Sequence, residues 1–427
     1  MIINVPGNIN KIIEDLQHYG FEAFIVGGCV RDSLLGRAPK DWDICTSASP
    51  DEIKKVFAAY RTIDIGIEHG TVALMYQGEK IEITTYRIDG EYLDNRRPSS
   101  VLFTKSLKED LIRRDFTINA MAYNTQQGLI DYFEGIKALK NRSIIAVGDP
   151  LKRFSEDALR IMRGIRFTAE LGFCLEDNTL KAMKEKAPLL KHVSPERIRV
   201  EMDKMLMSAA PEMGLKIFFD TDVMEVIFPV LRTEQISRDT AERYIEKMKC
   251  CSYDLCERIT LLLKIIEANR FIPNESGKYP DILQTYLYGL KYDRNTIKNV
   301  TAIYKYSNMK LKCDKITLKK QLMDCGVDIL KACIDLKKTM GTLEVDYDKL
   351  VSLLLDIEAS NEPYTIKSLA INGDDLIRQG IPKGRTVGMI LNNLMERVIE
   401  EPGLNNYEAL SAMAEKIYDE IKKGLLQ

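Results

Sequence analysis

The sequence predicts an α/β head with a mixed sheet and helices, followed by all-α domains, and three observations carry that prediction. Strand-type alternation and glycine turns are confined to about the first 150 of the 427 residues. Beyond Ser155 the apolar residues recur at helical spacing, punctuated by Pro211, Pro229, Pro273, Pro280, Pro363, Pro382 and Pro402. Near the start, a short apolar strand, Phe24-Ile25-Val26, runs into Gly27-Gly28 and at once into an apolar helix. A chain of this length exceeds one hydrophobic core, so several domains are expected.

Taken in order, Ile9, Ile12, Ile13 and Leu16 mark a helix that Gly20 closes. The strand into Gly27, a helix ending near Gly36 and a strand Asp41-Trp42-Asp43-Ile44 come next. Ser49-Pro50-Asp51-Glu52 is an N-cap with proline at the first helical position and opens a helix to about Ala59. Thr71–Gln77 and Lys80–Arg87 flank Gly78-Glu79 as a hairpin, with Ile81, Ile83 and Thr85 on one face and Glu82, Thr84 and Tyr86 on the other. Residues 89–110, with the polar run Asp94-Asn95-Arg96-Arg97-Pro98, read as a loop. Gly128–Asp131 and Ser143–Val147 read as short strands completing the head layer. Ser155–Glu170 reads as one helix capped by Ser155, and Ser194-Pro195-Glu196-Arg197 opens another.

Composition excludes several classes of function. Lys and Arg (61) nearly balance Asp and Glu (63), so any nucleic-acid surface has to be local. The longest apolar runs fall far short of a membrane span and no secretory leader opens the chain, which points to a cytoplasmic protein. The nine cysteines contain no C-x-x-C pair and read as reduced thiols. Only His18, His69 and His192 occur, each isolated, which leaves little room for histidine-based metal or hydrolase chemistry.

The chemistry concentrates in two stretches. On a strand, Asp41 and Asp43 point to the same face, and two converging carboxylates call for a cation between them. Mg²⁺, a hard ion that prefers carboxylate oxygen, is the candidate. The Gly27-Gly28 turn at a helix start offers unpaired N–H groups to phosphate. Chemistry with a metal pair needs a further carboxylate, for which Glu82 on the polar face of its strand is the candidate; the alternative is an exposed glutamate. The run Arg113-Arg114-Asp115 precedes apolar Phe116 and Ile118, placing its charges at the lip of a packed element. There arginine suits phosphate oxygens and aspartate suits a ribose hydroxyl. Metal-binding carboxylates beside a phosphate cradle suggest nucleotidyl transfer.

These motifs also carry a resemblance. Gly27-Gly28-x-Val30-Arg31-Asp32-x-Leu34-Leu35-Gly36-Arg37 with Asp41-x-Asp43 resembles the signature of the class II tRNA nucleotidyltransferase/poly(A) polymerase family. Arg113-Arg114-Asp115-Phe116-Thr117-Ile118-Asn119-Ala120 looks like its second motif, Glu156-Asp157-Ala158-Leu159-Arg160 through Phe167 like its nucleobase-selecting motif, and Ser194–Ile198 like a later one. The resemblance covers residues 22 to about 205. It implies a polymerase-β-like nucleotidyltransferase head over 1–140, a helical neck over 141–205, a body over 206–330 and a tRNA-binding tail over 331–427. It further implies Mg²⁺ at Asp41 and Asp43, and nucleotide contacts from Gly27, Gly28, Arg31, Arg114, Asp115, Asp157, Arg160, Arg163 and Arg166. Among bacterial members the CCA-adding enzymes are the best match, with tRNA, CTP and ATP as partners; oligomeric state is not indicated.

Asp157 and Arg160, at i and i+3, share a face of the expected helix. One reading is a local surface ion pair; the other is an imitation template. Cytosine and adenine each present an amino donor beside a ring-nitrogen acceptor, which a carboxylate and an arginine satisfy. Uracil and guanine present the reverse and leave polar groups unpaired. The glycine-rich stretch Ile371–Gly388 reads as a helix–turn–helix connection, and the resemblance suggests that it grips tRNA. The loop at Arg96-Arg97 favours an enzyme that switches from CTP to ATP over a CC-only one. A mixed rather than strongly basic C-terminus argues against a poly(A) polymerase. An A-adding enzyme stays open, and a non-catalytic RNA-binding protein, which would have lost Asp41, Asp43 or Arg114, is disfavoured.

Overall fold

The head sheet decides where the functional groups stand. A computed structural model describes residues 2–90, 101–229, 238–269, 279–360 and 362–423. The chain divides into two compact units, one built mainly from residues 1–236 and the other mainly from 237–427.

In the first unit, helix α1 (Gly7–His18) buries Ile9, Ile12, Ile13 and Leu16, and Gly20 takes the left-handed conformation just beyond it. Strand β1 (Ala23–Val26) is buried throughout and leads through Gly27 into α2 (Gly28–Leu34). Then follow β2 (Ile44–Thr46), α3 (Pro50–Val56), β3 (Arg61–Asp64), β4 (Thr71–Tyr76) and β5 (Glu79–Thr85). Helix α3 begins with a capping box in which Ser49 and Glu52 satisfy each other's backbone N–H groups. The hairpin turn is Gln77-Gly78, one residue earlier than Gly78-Glu79, and both residues have positive φ, which suits the twist of the flanking strands.

Residues beyond the hairpin differ from a plain loop. Strand β6 (Arg87–Asp89) pairs antiparallel with β7 (Val101–Phe103), outside the main sheet. The Arg96-Arg97 loop lies outside the described residues. Helix α4 (Leu107–Ile112), capped by Ser106, leads to β8 (Met121–Asn124) and β9 (Gly128–Asp131). The seven-stranded sheet runs β3-β4-β5-β2-β1-β8-β9, antiparallel except between β2 and β5. Phe24, Val26, Cys45 and Tyr86 pack against Leu107 and Leu111 of α4.

Two expectations need correction. Ser143–Val147 does not complete the head sheet: only Ser143–Ile144 (β10) is a strand, after α5 (Gly135–Lys140), and it pairs with an unforeseen strand, Cys174–Leu175 (β11). Residues 155–170 are not one helix. Helix α6 (Pro150–Glu156), capped by Asp149, ends at Asp157, and α7 (Leu159–Leu171) begins afresh. Asp157 is extended and its Oδ1 accepts from Leu159 N at 3.1 Å, so its side chain starts a new helix instead of riding on the old one. Helices α8 (Asp177–Lys186) and α9 (Pro195–Leu206) follow, and α9 packs along α7.

The second unit is helical in its described residues. One cluster forms around Leu318, Leu322, Leu330, Leu350 and Leu354, another around Leu376, Ile390, Leu394, Val398 and Leu410. The glycine-rich stretch joins helices Gly373–Arg378 and Arg385–Glu400, as its composition suggested.

Candidate active site

Asp41, Asp43 and Glu82 line one cavity beside the sheet. Asp41 and Asp43 precede β2 instead of lying within it, with Asp43 O accepting from Val26 N at 3.0 Å. Ile44, the first residue of β2, pairs in parallel with Ile83 of β5, which brings Asp43, just before β2, near Glu82 of β5. Both border a cavity of about 720 Å³ that Lys40, Asp41, Trp42 and Lys80 also line.

Asp43 is open to that cavity, yet the protein crowded around it limits its hydration. Burial therefore raises its carboxyl above the usual range; Arg114 works against the rise, while Glu82 and Asp41 add to it. Glu82 pairs with Lys80 at 2.8 Å, both partly exposed. Among the described residues, neither Asp41 nor Asp43 makes an ion pair, and no three such side chains form a ready ion cage. The donor set, carboxylate oxygens short of positive charge, fits a hard divalent cation.

Across from the carboxylates lies the glycine turn. Gly27 has φ 82°, a conformation that side-chain-bearing residues rarely adopt, and a Cβ there would stand 3.2 Å from Nη1 of Arg114 and press on it. Arg114 gives Nη2 to the fully buried Asp110 at 3.1 Å, while its buried Nε has no partner among the described residues. Asp110 also takes Arg113 at 2.6 Å. Burial would raise its carboxyl, but Arg114 and Arg113 together hold it below the usual range.

A connected network continues from there. Arg31 gives Nε to Asp32 at 2.9 Å and Nη1 to Asn119 at 2.7 Å. Asn119 Nδ2 donates to Asp115 Oδ1 at 3.2 Å, beside the N–H of Phe116 at 2.8 Å. Arg163 meets the other oxygen, Oδ2, with Nε at 2.7 Å and Nη2 at 2.6 Å. All four acceptor positions of Asp115 are thereby filled, which leaves none for the ribose hydroxyl expected from sequence; the carboxylate serves Arg163 instead. Burial opposes the charge, but Arg163, with Phe116 N–H and Asn119, holds the carboxyl down at about 2. Arg166 is committed to Glu201 at 2.7 Å and Glu170 at 3.2 Å.

Asp157 and Arg160 do not pair with each other's side chains, so the surface ion-pair reading falls with the continuous helix. Asp157 uses Oδ1 for the cap and Oδ2 for Arg197 of α9 at 3.0 Å, keeping two acceptor positions. Arg160 gives Nη1 to Glu156 at 2.8 Å and to Arg153 O at 3.1 Å, and Nη2 to Arg113 O at 2.8 Å. Two of its five N–H groups, one of them Nε, have no partner among the described residues. Glu156 is shared with Arg153 at 2.6 Å, which also reaches Ile112 O at 3.2 Å, so the α6–α7 joint is tied to the end of α4.

Sequence reasoning missed Asp110, Asn119, Glu156 and Arg197. The first three stand four residues from Arg114, Asp115 and Arg160, a spacing that could have exposed them. Arg197 lies forty residues from its partner and left no local signal.

Comparisons with known proteins cover nearly the whole chain. Family models match as the poly A polymerase head domain over residues 23–145, an RNA- and SrmB-binding site of polymerase A over 172–234, and tRNA nucleotidyltransferase domain 2 over 277–414. The CCA-adding enzyme of Streptococcus gordonii is 37% identical over 406 residues, covering 94% of this chain and 95% of that one. That of Ligilactobacillus salivarius is 36% identical, covering 98% and 99%. Among solved structures, the Bacillus stearothermophilus CCA-adding enzyme in complex with CTP superposes with a TM-score of 0.76 at 30% identity, covering 97% of this chain and 98% of that one.

Proposed function

The chain belongs to the bacterial CCA-adding enzymes of the class II tRNA nucleotidyltransferase/poly(A) polymerase family, and from that premise we propose that it adds CCA to the 3′ end of tRNA. CTP is used twice and ATP once, without a nucleic-acid template, and pyrophosphate is released.

Enzymes of this family are nucleotidyltransferases that generally depend on a divalent metal; here we assign Mg²⁺, held by Asp41 and Asp43 with Glu82 as the further carboxylate. Magnesium bound there would acidify the acceptor hydroxyl and neutralise charge on the departing pyrophosphate. Everything else falls to the chain's own residues. Gly27 and Gly28 let the triphosphate approach the backbone, and Arg31 and Arg114 offer it guanidinium donors. Arg163, held by Asp115, faces the same nucleotide. We assign Arg166 to shaping this cluster through Glu201.

Asp157 and Arg160 choose the base. The observation that carries this assignment is their unused capacity: two acceptor positions on the carboxylate and two donors on the guanidinium, adjacent at the head of α7 and otherwise pinned. An amino donor beside a ring-nitrogen acceptor matches them; the reversed edge of uracil or guanine leaves each group facing its own kind. The domain division 1–140, 141–205, 206–330 and 331–427 stays our proposal, with the tail gripping tRNA. Among the described residues no helix is long and apolar enough to cross a membrane, and we place the activity in the cytoplasm beside its tRNA substrate.

Single alanine substitutions test the base assignment. Asp157→Ala and Arg160→Ala should each erode the preference for CTP and ATP over UTP and GTP by about a hundredfold, measured as kcat/KM for each nucleotide. Unchanged preference in both variants would sink it.

A further inference from the structure

Three guanidinium groups gather on one aromatic ring that takes no part in the chemistry assigned above. Phe167 of α7 is 3% exposed, and its ring centroid lies 5.2 Å from Cζ of Arg31, 5.4 Å from Arg163 and 4.3 Å from Arg166. Phe116 braces the ring edge-to-face at 5.8 Å. The three arginines come from two elements, Arg31 from α2 and the others from α7, with Arg163 one turn before Phe167 on its own helix.

We propose that Phe167 is the positioning residue that holds Arg31 and Arg163 ready for the nucleotide, an inference that rests on reading those arginines as nucleotide ligands. Three like charges around one point repel. Each has a carboxylate partner of its own: Asp32 for Arg31, Asp115 for Arg163, Glu201 and Glu170 for Arg166. A further carboxylate between them would consume the N–H donors that phosphate needs. A leucine would fill the volume without attracting a cation. The face of an aromatic ring attracts a guanidinium through its quadrupole and uses none of its N–H groups. Phe167 thus gathers cations while leaving their donors for the ligand.

The test separates ring from volume. Phe167→Leu is compared with Phe167 replaced by its mono-, di- and trifluorinated analogues, which keep the shape while draining the quadrupole. Phe167→Leu should raise KM for CTP and ATP alike by about tenfold, with KM for tRNA and the preference against UTP and GTP unchanged. The fluorinated series should raise the nucleotide KM stepwise, and it carries the test alone if the leucine variant fails to fold. A nucleotide KM that stays within about twofold of wild type across the fluorinated series, or an effect confined to kcat or to tRNA, overturns the inference. Arg31→Ala and Arg163→Ala are measured alongside. If they leave nucleotide KM unchanged, the underlying reading fails; if they raise it and the ring variants do not, only the role of Phe167 fails.

Discussion

The carboxylate end of the head and the arginine network beside it are built on opposite electrostatic principles. Asp41 and Asp43 have no ion-pair partner among the described residues, and burial together with Glu82 and Asp41 leaves Asp43 reluctant to ionise. Asp110 and Asp115 are buried, every charge around them is answered, and both are held ionised. On the proposed assignment the first region awaits a cation, whereas the second is complete beforehand and would present donors to the nucleotide. A polymerising site needs both: charge introduced with the substrate, and a frame that does not rearrange to meet it.

The comparison breaks first at Asp43. Asp43→Ala should lower kcat by at least about a thousandfold with little loss of stability, since the residue has no ion pair to lose. On the proposed assignment of Asp43 as a metal ligand, wild-type activity should fall as pH drops through a point above the usual value of an aspartate, because protonation of Asp43 would oppose metal binding. Glu82→Gln should move that acid limb downward by removing one of the charges that raise it; an unmoved limb in the kcat/KM profile would separate Glu82 from Asp43.

Asp115 should behave in the opposite way. Its folded-state pKa, about 2, lies below the unfolded value, so its stabilisation is fully present above about pH 4 and is lost as pH falls towards 2. Asp115→Asn should cost on the order of 2 kcal/mol at neutral pH and flatten acid unfolding across that window, read from denaturant midpoints at each pH. The smallest effect is expected at Arg197. Arg197→Ala frees one oxygen of Asp157 without removing the carboxylate, so misincorporation of UTP should rise about threefold to tenfold while addition of CTP and ATP persists.

How much of this was legible in the sequence follows the same divide. Gly27-Gly28 and Asp41-x-Asp43 are local patterns; the glycine conformation is present in the fold, whereas the two aspartates line one cavity from the segment before β2 and not from a strand face. The hairpin and the capping box at Ser49 were equally readable, because turn and cap chemistry lies within a few residues. The α6–α7 break was not. Helical periodicity runs unbroken from Ser155 to Glu170, and only the competition of the Asp157 side chain for Leu159 N–H divides it. The partnership of Asp115 with Arg163 was hidden for a different reason: the two are forty-eight residues apart and meet only once α7 packs on the head. Turn and cap chemistry with a glycine, proline or serine signal was visible in the sequence; the local break at Asp157, masked by helical periodicity, and side-chain partnerships made across the fold were not.

The most direct test of the central claim offers tRNA ending at the discriminator base, at C or at CC to the purified enzyme, with each nucleotide singly and with CTP plus ATP. The account predicts CMP addition to the first two ends, AMP addition to the CC end, completion of CCA when both nucleotides are present, and negligible use of UTP or GTP. Addition of AMP alone to CC ends, or long A tails on unrelated RNA, would contradict it.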